Sequence, residues 1–268
     1  MTVASVVPIV VDGRTVDIEY AWIGEGGGRD EAIVFLHEGL GSLAMWKEYP
    51  QRLCDALRMR GLVFSRPGYG RSTPRQATER WPVDFMHRQA LRVLPALFAA
   101  LCVPPRPWLF GHSDGGSIAL LYAASFPASV AGVIAVAPHL FVEDVSVRNI
   151  AAAKIAYETG DLRSRLARYH VDPDSAFWGW NDIWLDPAFR SWNIEAEMRS
   201  LRCPVLAVQG EDDQYGTMAQ IERLAALAPQ TKLVRLAACG HSPHRDQPLA
   251  LTAAAADFLA TAAAQAPQ

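Results

Sequence analysis

Gly111-His112-Ser113-Asp114-Gly115 is the stretch on which the reading of this chain turns. It follows the apolar run Trp108-Leu109-Phe110 and leads into an alanine- and leucine-rich segment that starts at Gly116. G-x-S-x-G between a strand and a helix is the pattern of a sharp, strained turn that presents a serine hydroxyl. The glycines let neighbouring backbone approach where a Cβ would collide. Five such residues recur by chance. The buried strand before them and the helix after them give them weight, and both are legible here.

Outward from that turn the chain alternates between strand-like and helix-like segments. Residues 5–11 and 15–23 read as a strand pair around Asp12-Gly13. Residues 32–37 (AIVFLH), 62–65, 108–112 and 130–137 are short continuous apolar runs, as expected of strands buried on both faces of a parallel sheet. Helical spacing is predicted over 46–59, 84–101 and about 115–125. From 139 to 200 the rhythm changes: no buried strand is predicted, and Trp178, Trp180, Trp184 and Trp192, four of the eight tryptophans, crowd together. Strands at 204–208 and 232–236 then alternate with helices near 217–228 and 248–264. The expected architecture is α/β, a doubly wound, mostly parallel sheet with helices on both faces. Residues 1–138 and 201–268 would form the core domain, and 139–200 an inserted helical cap over the ligand crevice.

Composition narrows the function classes. The chain has 268 residues, half of them apolar, enough for one large core with an insertion or for two small domains. A net charge of −3 offers no basic footprint for nucleic acid and no polybasic membrane patch. The first residues, MTVASVVPIVVDG, lack a basic n-region and a long apolar stretch, so neither a signal peptide nor a membrane span is expected, and a cytoplasmic location follows. Cys54, Cys102, Cys203 and Cys239 lack C-x-x-C spacing and are expected as reduced thiols. No metal motif involves His139 or His170, no phosphate-binding glycine motif is present, and Gly24–Gly28 (GEGGG) reads as a turn.

A serine hydroxyl is a weak nucleophile and needs an adjacent base that is itself oriented by a carboxylate. Gly210-Glu211-Asp212-Asp213 follows one predicted strand, and Cys239-Gly240-His241-Ser242-Pro243 follows the next. Asp213 and His241 are 28 residues apart, each just past a different strand's C-terminal end, the edge where a parallel sheet gathers functional groups. Glu143 and Asp144 after the sixth strand are alternative carboxylates.

With these pieces in order, the chain resembles an α/β-hydrolase-fold enzyme from about residue 15 to 264. The pieces are His37-Glu38-Gly39-Leu40-Gly41-Ser42, Ser65-Arg66-Pro67-Gly68-Tyr69-Gly70-Arg71-Ser72, the serine turn, the G-x-x-D and the G-H-x-P. The resemblance implies that Ser113 is the nucleophile, His241 the general base and Asp213, by the G-x-x-D spacing, its partner in place of Asp212. It implies an oxyanion hole from the backbone N–H groups of Asp114 and Gly39, and it leaves His244 as a surface or helix-entry residue. The Asp114 side chain is expected to top the new helix near its positive end.

Glu38 departs from the commonest family pattern, which has glycine there. It is expected to point outward or pair with a nearby arginine, such as Arg66 or Arg71, with substrate contact as the sharper alternative. Trp178, Trp180 and Trp184 are candidates for the pocket lining. The expected function is a cofactor-free, metal-free serine hydrolase acting on an ester-type bond of a small or medium, partly apolar molecule. C–C bond hydrolysis of a dienoic ring-cleavage product is the alternative enzyme reading, and a hydrolase-like small-molecule receptor the alternative of a different class. Haloalkane dehalogenase and epoxide hydrolase chemistry would need aspartate where Ser113 stands. Neither the oligomeric state nor the substrate is legible.

Overall fold

In the computed structural model, which describes residues 4–24 and 31–265, eight strands form one sheet. They are β1 (Ser5–Val11), β2 (Arg14–Ile23), β3 (Ala32–Leu36), β4 (Arg60–Phe64), β5 (Trp108–His112), β6 (Gly132–Val136), β7 (Val205–Gly210) and β8 (Thr231–Leu236). The order is β1-β2-β4-β3-β5-β6-β7-β8. The pairs β1–β2 and β2–β4 are antiparallel, and the rest of the sheet is parallel. Residues 25–28 of the glycine-rich stretch lie outside the described residues.

Every residue of β3, β6 and β7 is buried because the side-chain alternation of a strand sends apolar groups into two separate cores. Ile33, Phe35, Phe110, Ile134, Leu206 and Val208 pack on one face with Leu53 and Phe258. Val34, Leu36, Leu109, Val133, Val205 and Ala207 pack on the other with Leu97 and Ile118. The covering helices are α1 (Tyr49–Leu57), α2 (Phe85–Arg88), α3 (Leu94–Ala100) and α4 (Asp114–Ser125). Between β6 and β7 lie α5 (Asp144–Thr159), α6 (Leu162–Leu166), α7 (Pro173–Trp184) and α8 (Glu195–Met198), and after β7 come α9 (Ala219–Leu227), α10 (Pro243–Asp246) and α11 (Pro248–Gln265).

The helix expected over 46–59 is divided. A 3₁₀ turn spans Leu43–Trp46, Lys47 adopts φ 56°, and α1 begins only at Tyr49, with Pro50 in its first turn. A left-handed residue ends the first turn, and proline is tolerated only at a helix start. Residues 84–101 likewise fold as α2 and α3 joined by a π turn over Gln89–Val93.

In α7, Asp172 caps the start by accepting from the Ser175 N–H at 2.9 Å, and Pro173 occupies the first turn. Trp180 and Trp184 are four residues apart and share a face of α7 that looks toward the sheet's C-terminal edge. The segment before α7 is fastened to two loops of the sheet through one ring. His170 accepts from the Gly70 N–H at Nδ1 (2.9 Å) and donates from Nε2 to the Leu40 carbonyl (3.1 Å).

Candidate active site

Ser113 stands between β5 and α4 with φ 53° and ψ −123°, a conformation non-glycine residues seldom adopt. The neighbours make it possible. A Cβ at Gly111 would strike the Gly115 carbonyl, and one at Gly115 would strike the carbonyl of Leu36. The Ser113 N–H is tied to the Val136 carbonyl at 2.9 Å, so β6 braces the turn.

Three side chains expected from the sequence converge here. Ser113 Oγ lies 2.9 Å from His241 Nε2, and His241 Nδ1 lies 2.8 and 2.9 Å from the two Asp213 oxygens. Asp213 is itself held by the N–H groups of Tyr215 (2.7 Å) and Gly216 (3.2 Å) and by Gln209 Nε2 (2.6 Å). Burial alone would raise its pKa, but the hydrogen bond and charge of His241 and the Tyr215 N–H outweigh it and hold the carboxyl below its ordinary value. The other carboxylates do different work. Asp212 is exposed, Asp144 pairs with Arg190, and Glu143 binds Thr217 and Gln220.

The loop after β3 is set by a dense set of bonds. The Glu38 carbonyl accepts from His37 Nδ1 (2.7 Å), from Arg66 Nη2 (2.8 Å) and from the Gly41 N–H (3.0 Å), while His37 Nε2 accepts from the Arg66 N–H (2.9 Å). Gly39 must be glycine, because a Cβ would meet the Trp180 indole. Gly39 and Asp114 both line a cavity of about 110 Å³ at Ser113, closed by Trp180, Trp184, Ile150 and Tyr215. Its volume suits a small group, and its walls are mainly apolar.

Several expectations need correcting. The Glu38 carboxylate does pair with an arginine, as expected, but the arginine is Arg245 and neither Arg66 nor Arg71. The carboxylate faces His112 Nδ1 at 3.5 Å and Arg245 at 3.6 Å, and Arg66 takes only the Glu38 carbonyl. Burial raises the Glu38 pKa, yet its contact with His112 outweighs this and brings it well below the usual carboxylate range. Because His112 Nε2 also donates to the His241 carbonyl (2.7 Å), the Glu38–His112 contact joins the Gly39 loop, the serine turn and the histidine loop. Glu38→Gln is therefore expected to lower kcat about three- to tenfold with a smaller change in KM, since positioning rather than ground-state binding is disturbed. Steady-state kinetics decide it: unchanged kcat would remove Glu38 from the positioning of these loops.

Trp178 does not line the cavity; it is half-buried, edge-on to Phe177 and Tyr157, under Lys154. Lying two residues from Trp180, it points to a different side of α7. The Asp114 side chain does more than top a helix. It is buried, accepts from Trp184 Nε1 at 3.2 Å and lies 3.8 Å from Arg66, and burial pushes its pKa up to about 6 despite Arg66. His139, read from the sequence without a role, brings Nε2 to 3.4 Å from Ser113 Oγ.

His244 sits at the entry of α10, as one alternative had it, but is buried rather than on the surface, packed between Trp46, Tyr49 and His112 with neither ring nitrogen bonded. Burial, reinforced by His112, holds its pKa well below the ordinary imidazole value; burial and Arg66 do so for His37, and burial and His241 bring His139 to about 3. Each ring is neutral in the folded chain but takes up a proton below about pH 6.5 when unfolded. Stability is thus complete above that pH and drains as pH falls below it, by up to about 1.4 kcal/mol per pH unit for each ring. His244→Phe should make the acid loss shallower. Urea unfolding between about pH 7.5 and 4.5 checks this, and equal slopes for the two proteins would contradict it.

Among the described residues no group of three His, Cys, Asp or Glu side chains could hold a metal, and no helix is long and apolar enough to cross a membrane. The four cysteines are free thiols.

Comparison with known proteins adds three findings. A family model described as "Alpha/beta hydrolase family" matches residues 33–255. The chain is 26% identical to a "Putative carbamate hydrolase RutD" of Caulobacter sp. (strain K31) over 272 aligned residues, covering 93% of this chain and 98% of that protein. Among solved structures it is similar in fold to a bacterial membrane phospholipase A, with a TM-score of 0.74, 23% identity and coverage of 97% of this chain and 87% of that one. It is also similar to an esterase of Thermogutta terrifontis, with a TM-score of 0.71, 18% identity and coverage of 97% and 99%.

Proposed function

We propose, since the chain belongs to the alpha/beta hydrolase family, that it is a serine hydrolase cleaving a carboxylic ester-type bond through an acyl-Ser113 intermediate. The observation that carries the reading is the unbroken relay from Ser113 Oγ through His241 to Asp213, with every step at 2.9 Å or less. In this reading His241 Nε2 takes the Oγ proton as the oxygen attacks the carbonyl carbon, then returns it to the departing alcohol. Asp213 fixes the tautomer and supports the imidazolium. The N–H groups of Gly39 and Asp114 receive the developing oxyanion, each donor worth about 10²–10³ in rate. Water then attacks the acyl carbon with His241 again as base.

The substrate class follows from the walls. Residues 139–200 act as a cap whose Trp180 and Trp184, with Ile150, give the cavity an apolar roof above the polar floor. A cavity of about 110 Å³ favours a small acyl group at the reacting centre. A carbamate-type acyl bond is the second reading, supported by the nearly end-to-end match to the Caulobacter relative; the same attack on a carbonyl would serve it.

Labelling by a fluorophosphonate probe tests the proposal. Wild-type protein is expected to label and to hydrolyse p-nitrophenyl acetate, and Ser113→Ala to do neither. Absent labelling of well-folded wild-type protein would favour a hydrolase-like receptor with a disengaged triad.

A further inference from the structure

We propose that His139 is a second catalytic imidazole, a neutral N–H donor aimed at Ser113 Oγ that eases departure of the serine oxygen when the acyl-enzyme is hydrolysed. This rests on the roles given above to Ser113 and His241.

Donor counting gives the direction of the contact. Ser113 has one hydroxyl hydrogen, and the 2.9 Å approach commits it to His241 Nε2, whose other nitrogen donates to Asp213. The 3.4 Å approach of His139 Nε2 to the same oxygen is then a hydrogen bond only if His139 donates, which fixes the Nε2–H tautomer.

The position is built. His139 follows β6 at the crevice edge, and its backbone is clamped on both sides by Ser117 Oγ, which accepts from the His139 N–H (2.9 Å) and donates to its carbonyl (2.7 Å). Trp184 holds the ring edge-on, with centroids 4.9 Å apart. Packing alone does not account for an imidazole here. Nδ1 is buried without a partner, a cost that an apolar side chain of similar shape would avoid. Burial and the neighbouring His241 keep the ring uncharged through the working pH range, so it neither competes as base nor repels the imidazolium that forms at His241.

Deacylation is where such a donor matters most. A water oxygen bonds to the acyl carbon and gives its proton to His241 Nε2. The tetrahedral intermediate collapses, the carbon–Oγ bond breaks, and Oγ keeps the electron pair and recovers the proton from His241. His139 N–H meets the charge that gathers on Oγ during that collapse. In acylation the same donor also weakens Oγ as a nucleophile, so the two effects partly cancel in that half-reaction.

Pre-steady-state hydrolysis of p-nitrophenyl acetate separates the halves. His139→Phe should leave the burst rate within about threefold of wild type and slow the following steady phase about 10- to 100-fold, somewhat less than a well-aligned oxyanion donor because the contact is long. His139→Gln, which restores an N–H, should recover much of the steady rate. A steady phase equal to wild type in His139→Phe, or equal loss in both variants, overturns the proposal. Failure of wild-type protein to label with the fluorophosphonate would instead sink the hydrolase reading itself. Where His139→Phe does not fold, imidazole ¹⁵N–¹H correlation spectra of the unaltered protein decide. A neutral Nε2–H ring from about pH 6 to 8 is expected, and an Nδ1–H tautomer or an imidazolium in that range overturns the assignment.

Discussion

His241→Ala is expected to lower kcat on a p-nitrophenyl ester by roughly 10⁴- to 10⁶-fold, with the melting temperature within a few degrees of the parent. The fold should tolerate the change because the ring belongs to the loop after β8 and is partly exposed, touching Tyr215 and His112 at its margins. What is lost is the acceptor placed 2.9 Å from Ser113 Oγ. The residual rate would come from the N–H donors at Gly39 and Asp114 and from substrate binding. Retention of kcat within tenfold would mean that another group takes the proton, and His139, bonded to the same oxygen from the other side, would be that group.

Asp213→Asn should cost roughly 10³- to 10⁴-fold in kcat, whereas Asp212→Asn should change it less than twofold. The surroundings of Asp213 explain the size of the first effect. Its Oδ1 accepts from two backbone N–H groups, so an asparagine would keep its carbonyl oxygen there. The new amide NH₂ would then take the place of Oδ2 and confront both Gln209 Nε2 and His241 Nδ1, donor against donor. His241 could relieve the clash only by shifting its proton to Nε2, the nitrogen that must be free to accept from Ser113. Paired kinetics and melting curves on the two variants check the prediction. Equal losses would mean that the shared loop, rather than one carboxylate, is being measured.

The strands and the serine turn were legible because each carries a local signature. Continuous apolar runs mark a sheet buried on both sides, and two glycines mark a turn too tight for Cβ atoms. The carboxylate and the imidazole were legible by position, each just past a strand end. Pairings between distant polar groups were not. Glu38 meets His112 and Arg245 because three loops converge after folding, and nothing in the spacing of 38, 112 and 245 encodes that. His244 was read as a surface or helix-entry residue; it does enter α10, but α10 turns it under Trp46. Two misses had a usable signal. Trp178 could have been separated from Trp180 and Trp184 by helical spacing, since only the latter two are four apart. His139 lies three residues beyond a fully buried strand, in the position that had already singled out Asp213 and His241.

His170 bears on how molecules travel in and out. One of its two bonds ties the segment before α7 to the loop that carries Gly39 and the other ties it to the Gly70 loop, so raising that corner would pull on Gly39 beside Ser113. A roof hinged at that corner would have to break both bonds before it moved. A trench of about 860 Å³ between Leu162–Tyr169 and Met45–Arg52 shares Glu38 and Leu40 with the cavity at Ser113. Its walls carry Lys47, Arg52, Arg165, Arg168 and Arg245 against Glu38 and Glu48, a positive excess that would draw anionic molecules to this flank.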